Sequence, residues 1–150
     1  MSGSLIEVAK FAVDLSPCPI EKSWVIEGNP VAENRVLFSS RDGQAQTIVW
    51  QCSEGKFNWY YDFDETILIL EGSIVLENDN MPATRFGPGD VITFNNGAHA
   101  KWHVEGHVRK LAFCRKPQPY LLSLAVRAMS KAARLILRTE PNRHPLLAKA

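Results

Sequence analysis

The amino-acid sequence predicts an all-β body, closed as a sandwich or barrel, followed by one amphipathic α-helix. Three observations predict it. From Arg35 to about Arg115 the chain is a succession of short β-branched and aromatic runs punctuated by Gly, Asn, Asp and Pro, the pattern of sheet strands joined by tight turns. After Pro117 and Pro119 the punctuation stops, and Tyr120 to about Thr139 is free of Gly and Pro and rich in Ala, Leu, Met, Lys and Arg, the composition of a helix. With 150 residues, the chain can bury one continuous core without a disulfide or a metal to hold it.

Residues 1–33 carry turn signals at Ser16-Pro17, Pro19 and Gly28-Asn29-Pro30, which cut the segment into short pieces and make it an arm with one or two edge strands. Residues 34–116 form the barrel. Its expected strands are Val36–Ser39, Thr47–Cys52, Phe57–Tyr61, Thr66–Leu70, Ser73–Glu77, Thr84–Phe86, Val91–Phe94, Ala100–Val104 and Val108–Cys114. Gly72 can take the positive φ of a tight hairpin and Asn78-Asp79-Asn80 tolerates the left-handed region, so both read as hairpins. Phe86-Gly87-Pro88-Gly89-Asp90 reads as a sharp corner. Residues 117–150 form the helix and a loosely held tail. On the helix Ser123, Arg127, Ser130, Lys131, Arg134 and Arg138 share one face, and Leu122, Val126, Met129, Ala133 and Ile136 another. The helix should end near Glu140-Pro141.

Charge and cysteine usage exclude several classes. The formal net charge is +1, far from the basic excess of a nucleic-acid binder. That balance hides an acidic body and a basic tail, since after Pro117 Arg127, Lys131, Arg134, Arg138, Arg143 and Lys149 face only Glu140. Cys18, Cys52 and Cys114 are odd in number and widely spaced, which fits neither a disulfide framework nor a CxxC metal site. They read as small buried or half-buried thiols. No stretch approaches the ~18 apolar residues of a membrane span, and Met1–Lys10 lacks the pattern of a secretory leader. The expectation is a cytoplasmic protein.

The residues from Trp50 to Glu65, followed by Ile67-Leu68-Ile69-Leu70-Glu71-Gly72, resemble the first cupin motif as used in the ureidoglycine aminohydrolase and EutQ-like branch. Phe86-Gly87-Pro88-Gly89-Asp90, then Phe94, Gly97, His99 and Trp102, then Val108-Arg109-Lys110, resemble the second. The resemblance covers residues 35–115 in the correct order. It implies an RmlC-like cupin jelly-roll barrel with a pocket at one mouth. The family's metal ligands, two histidines and a glutamate from the first motif and a histidine from the second, carry over to Trp59, Tyr61, Glu65 and His99. Two of the three histidines are thus absent. Indole is a donor only, and a phenol coordinates only after losing a proton with a pKa of about 10. Only Glu65 and His99 remain as ordinary ligands, too few for a firm site. No cofactor is expected; a divalent metal weakly held by Glu65 and His99 is the alternative.

Without a metal, Tyr61, Glu65 and His99 would bring a donor, an acceptor and a titratable imidazole to one point, able to orient a small polar ligand or move a proton. Trp59, Trp50 and Trp102 would line the space around them. The plainer reading is that the trio satisfies itself as a polar cluster in the core. Arg109 and Lys110 read as a solvated edge or as partners for Glu71. The leading functional expectation is small-metabolite binding in a barrel with a degenerate metal site. The alternatives are a ureidoglycine-aminohydrolase-like or EutQ-like enzyme, and a scaffold that docks through its basic helix on a membrane surface or an acidic partner. A homodimer formed by exchange of the N-terminal arm is expected, with no nucleic-acid partner.

Overall fold

The computed structural model of the protein describes residues 4–137. Eight strands follow one another: β1 (Ser16–Pro17), β2 (Val25–Glu27), β3 (Ala32–Ser39), β4 (Ala45–Tyr60), β5 (Asp64–Asn78), β6 (Met81–Phe86), β7 (Val91–Phe94) and β8 (His99–Arg115), and then the helix α1 (Tyr120–Leu137). A single 3-10 turn, Lys22–Trp24, precedes β2. The Asn78-Asp79-Asn80 hairpin and the corner before Asp90 form as expected, the latter closed by Gly87 N–H donating to the Asp90 carboxylate at 2.8 Å. The expected end of the helix near Glu140-Pro141 and the tail lie outside the described residues.

The sequence divides the barrel more finely than the backbone does. Three pairs of expected strands are each one long strand, β4, β5 and β8, carrying a register shift where the sequence suggests a break. Gly72 is therefore not a hairpin but a bulge inside β5, with φ +77° and Val108 as its register partner. The reason is general: a positive-φ glycine relieves the ladder of one residue and bends the strand without ending it. Gly106 plays the matching part in β8 with φ +78°.

The bends fold one antiparallel sheet over on itself. Before its bulge β4 pairs with β3 and after it with β2, while β8 runs between β4 and β5 along its whole length. β5 holds β7 on its first half and β6 on its second. Two facing layers result, a jelly-roll barrel. Inward side chains from one layer (Trp50, Cys52, Ile67, Ile69, Phe94, Ala112) and from the other (Phe57, Ile74, Leu76, Trp102, Val104) join a single core. The period-two alternation of each strand assigns these faces.

The arm belongs to this sheet in its own chain. β1 pairs with β3, β2 pairs with β4, and Ile20 enters the core. The chain divides into two compact units after Pro117. The second unit contains α1, whose apolar residues Leu121, Leu122, Val126, Met129, Leu135 and Ile136 are exposed.

Candidate functional site

Alternation along the long strands decides which polar groups meet inside. Past the β4 bulge, Phe57, Trp59 and Tyr61 point inward; on β5 Glu65, Ile67 and Ile69 do; on β8 Trp102 and, past the bulge, Val108, Lys110 and Ala112. Tyr61 is the first residue after β4, and its backbone is pinned by a bond to Ala98 O at 2.9 Å and one from Gly97 N–H at 2.7 Å. The turn before β8 thus fixes where its phenol enters the core.

At the centre lies a buried ion pair. Lys110 Nζ donates to Glu65 Oε1 at 2.8 Å, and the two side chains are only 6% and 7% exposed. The ammonium also sits 4.9 Å from the Trp50 ring and 5.0 Å from the Trp102 ring. Two indole faces and a carboxylate replace its water, the arrangement in which a cation–π contact is strongest. Around the pair the interior is filled with rings: Tyr61 stacks on Phe94 at 4.4 Å, Phe57 on Trp102 at 6.0 Å, and Trp59 meets Trp50 edge-on at 6.1 Å.

Two donors in this interior lack a partner. The Tyr61 hydroxyl and the Trp102 indole nitrogen are both buried and unbonded. Burial pushes the Tyr61 phenol well above its usual value and the Glu65 charge adds to the rise, while the neighbouring Trp102 N–H pulls the other way. That N–H acts on the phenol without reaching hydrogen-bond geometry, and both atoms are without a partner. Tyr61 is thus a neutral hydroxyl, a donor and not a base. Replacing Tyr61 with Phe removes an unpaired buried polar group and is expected to leave stability unchanged or raise it by up to ~1 kcal/mol in denaturant melts. A loss above ~2 kcal/mol would mean that the hydroxyl has a partner.

Nearby thiols are suppressed by the same burial. Burial raises Cys52 to about 12, with Lys110 opposing, and raises Cys114 to about 11, with Glu65 adding and Lys110 opposing. At pH 8 the folded protein should therefore alkylate at Cys114 about 200-fold more slowly than an ordinary thiol, and at Cys52 more slowly still. Site-resolved mass spectrometry over an iodoacetamide time course checks this, and urea should abolish the protection.

His99 stands apart from the expected trio. It is the first residue of β8, out of phase with inward Ala100 and Trp102. Its ring stacks on Tyr60 at 4.7 Å, and its Nε2 meets Asn58 Oδ1 at 3.2 Å, donating in the tautomer that carries the proton there. Asn58 and Tyr60 share this outer face by the same alternation. The expectation that Tyr61, Glu65 and His99 converge is corrected: the first two are inside, the third is outside, and Lys110 takes the position against Glu65. Trp59, Trp50 and Trp102 do surround the interior polar set. Lys110 is the residue missed by the sequence reading, which set it at a solvated edge; Glu71 is met instead by His107 at 3.4 Å.

The same geometry tests the metal site. The position of one family ligand is an indole, that of another is a phenol held in its neutral form, and that of the third histidine faces outward. The remaining carboxylate is already bonded to an ammonium. Among the described residues no group of three or more His, Cys, Asp or Glu side chains could hold a metal ion. This donor set does not fit a divalent metal, and the expected pair of ligands, Glu65 and His99, does not meet.

An open cleft adjoins the core at one end of the barrel. It measures about 400 Å³ and is lined by Gln44, Gln46, Ile48, Phe63, Cys114 and Arg115, with Asp62 and Lys116 also bordering it. Ile48 and Cys114 pack against the core on their other side. Cys114 also feels the charges of both Glu65 and Lys110, so the cleft wall is electrostatically continuous with the buried pair.

A family model described as the EutQ-like cupin domain matches residues 39–112. Among curated proteins none matches this chain significantly. Solved structures share the fold at low identity. A protein of unknown function of the DUF861 family from Pseudomonas syringae pv. tomato str. DC3000 is 24% identical with a TM-score of 0.64, over 70% of this chain and 46% of that one. The EutQ protein of Clostridium difficile is 17% identical with a TM-score of 0.52, over 59% and 65%. The polyketide cyclase RemF from Streptomyces resistomycificus is 19% identical with a TM-score of 0.56, over 77% and 82%. The chain therefore spans less than two thirds of the first two. The matching model makes residues 39–112 a EutQ-like cupin domain, and the solved structures share its jelly-roll fold.

Proposed function

We propose that this cupin binds a small metabolite carrying a carboxylate or a similar acceptor group, in the cleft at the barrel mouth. The observation that carries the reading is the cleft itself. Its volume of about 400 Å³ falls within the range of ~300–1,000 Å³ typical of small-molecule sites. Its walls pair apolar Ile48, Phe63 and Cys114 with the cations Arg115 and Lys116, which outnumber the one carboxylate there, Asp62. The guanidinium of Arg115 and the ammonium of Lys116 are donors only. An acceptor suits that inventory, and a second donor does not.

Hydrolysis of the aminohydrolase kind finds no support in the residues present, because the histidine positions it would need hold Trp59 and Tyr61. Acid–base chemistry shared by Tyr61, Glu65 and His99 fails for a geometric reason, since His99 faces the other side of its strand. Binding is the function that the remaining groups can perform.

Thermal shift measurements with a panel of small carboxylic acids, amines and polyols test the proposal. Stabilisation by carboxylic acids is expected, reaching ~2.7 kcal/mol when the ligand is at about a hundred times its Kd. Ile48→Trp, which fills the cleft, should remove it. Failure of every carboxylic acid to stabilise, or a shift that survives Ile48→Trp, contradicts the proposal.

A further inference from the structure

We propose that α1 is an interfacial anchor that lies flat on an anionic lipid surface. At about 100° per residue, Leu121, Leu122, Leu124, Val126, Met129, Leu135 and Ile136, all exposed, spread over an arc of roughly 200°. The alanines of the helix fall in or beside it. Arg127 and Lys131 stand opposite, within an arc of about 60° that also takes the position of Arg134. No acidic residue occurs between Glu105 and Glu140, so every charge on the helix is positive.

The breadth of the apolar arc selects the occupant. A helix packing on one protein neighbour shows a stripe about 100° wide or slightly more, and a coiled-coil seam is narrower still. Here half the circumference is apolar, which matches immersion in a plane and exceeds what one neighbouring helix covers. The cationic arc then lies toward the headgroups, where long Arg and Lys side chains reach anionic lipid while their stems stay in the apolar layer. The helix lies on the surface without crossing it. Arg127 and Lys131 fall in the middle of Tyr120–Leu137, and a spanning helix would have to bury both charges in hydrocarbon. Among the described residues, no helix is long and apolar enough to cross a membrane.

Flotation of the full chain with phosphatidylcholine vesicles, with and without about 30 mol% phosphatidylserine, tests the inference. Binding to the anionic vesicles should exceed binding to neutral ones at least tenfold and should weaken as salt rises from about 0.1 to 0.5 M. Each neutralised cation should lower the binding constant about fivefold, so Arg127→Gln with Lys131→Gln lowers it about 25-fold. Leu122→Glu with Ile136→Glu should abolish binding to both vesicle types, with an unchanged barrel melt as the control on folding. No flotation of the native chain, equal binding to neutral and anionic vesicles, or a native dimer in sedimentation equilibrium that the two Glu substitutions dissolve would each overturn it.

Discussion

Replacing Lys110 with Met is expected to destabilise the protein by ~3–5 kcal/mol, because Glu65 is then left charged and unpaired inside the barrel. The carboxylate is as buried as the ammonium, at 7% and 6% exposure, so water cannot take over the lost bond without entering a space filled by Trp50, Trp102 and Phe94. Changing both residues, Lys110→Met with Glu65→Leu, removes the charge as well as its partner and should recover most of the loss or more than all of it. Urea titrations of both single variants and the double variant check the cycle. The contrast is Lys101, which meets Glu77 at 3.0 Å with both side chains about two-fifths exposed; Lys101→Met should cost no more than ~1 kcal/mol. If Lys110→Met proves equally mild, Lys110 is not inside.

The second large effect is expected at Gly72. Its φ of +77° already disfavours any side chain, and a Cβ there would run into the carbonyl oxygen of His107 on the neighbouring strand. Neither strand can retreat, since both continue into the core on each side of their bulges. Gly72→Ala should therefore cost ~3 kcal/mol or more and lower the melting temperature by about 10 °C. Gly43 has a similar φ of +68° but open space where its Cβ would go. Gly43→Ala should cost only ~1 kcal/mol, and the difference between the two variants isolates the close approach at the bulge. Similar melting temperatures for both would show that the β5 and β8 bulges do not interlock.

Much of the barrel is legible in the sequence because alternation and turn chemistry are local. Val91–Phe94 and the Asn78-Asp79-Asn80 hairpin follow from a few neighbouring residues each. The long strands are not legible as such, because glycine signals a bend and an end with the same letter; only the partner strand tells Gly72 the bulge from a hairpin glycine. The site divides along the same line. Tyr61 and Glu65 share phase with Phe57 and Ile67 and could be placed inside by counting. Lys110 could not, because Arg109-Lys110-Leu111-Ala112-Phe113 alternates equally well either way. Lys110 shares one face with Ala112, while Arg109 shares the other with Leu111 and Phe113. Burial chooses the lysine because Glu65 lies opposite to receive it, a fact of the folded layer alone. His99 is illegible for the converse reason: the resemblance implies an inward role at its motif position, while the pairing of Tyr60 with His99 puts it on the Tyr60 side.

The central claim is that an ammonium stands inside the barrel against Glu65, between two indole rings. Nuclear magnetic resonance of the lysine side-chain nitrogens tests it most directly. The Lys110 Nζ signal should be slow to exchange with water, shifted by the two indole rings, and linked by Overhauser effects to Trp50 and Trp102. A Lys110 signal that exchanges as fast as those of the surface lysines, with no contact to either indole, would contradict the account.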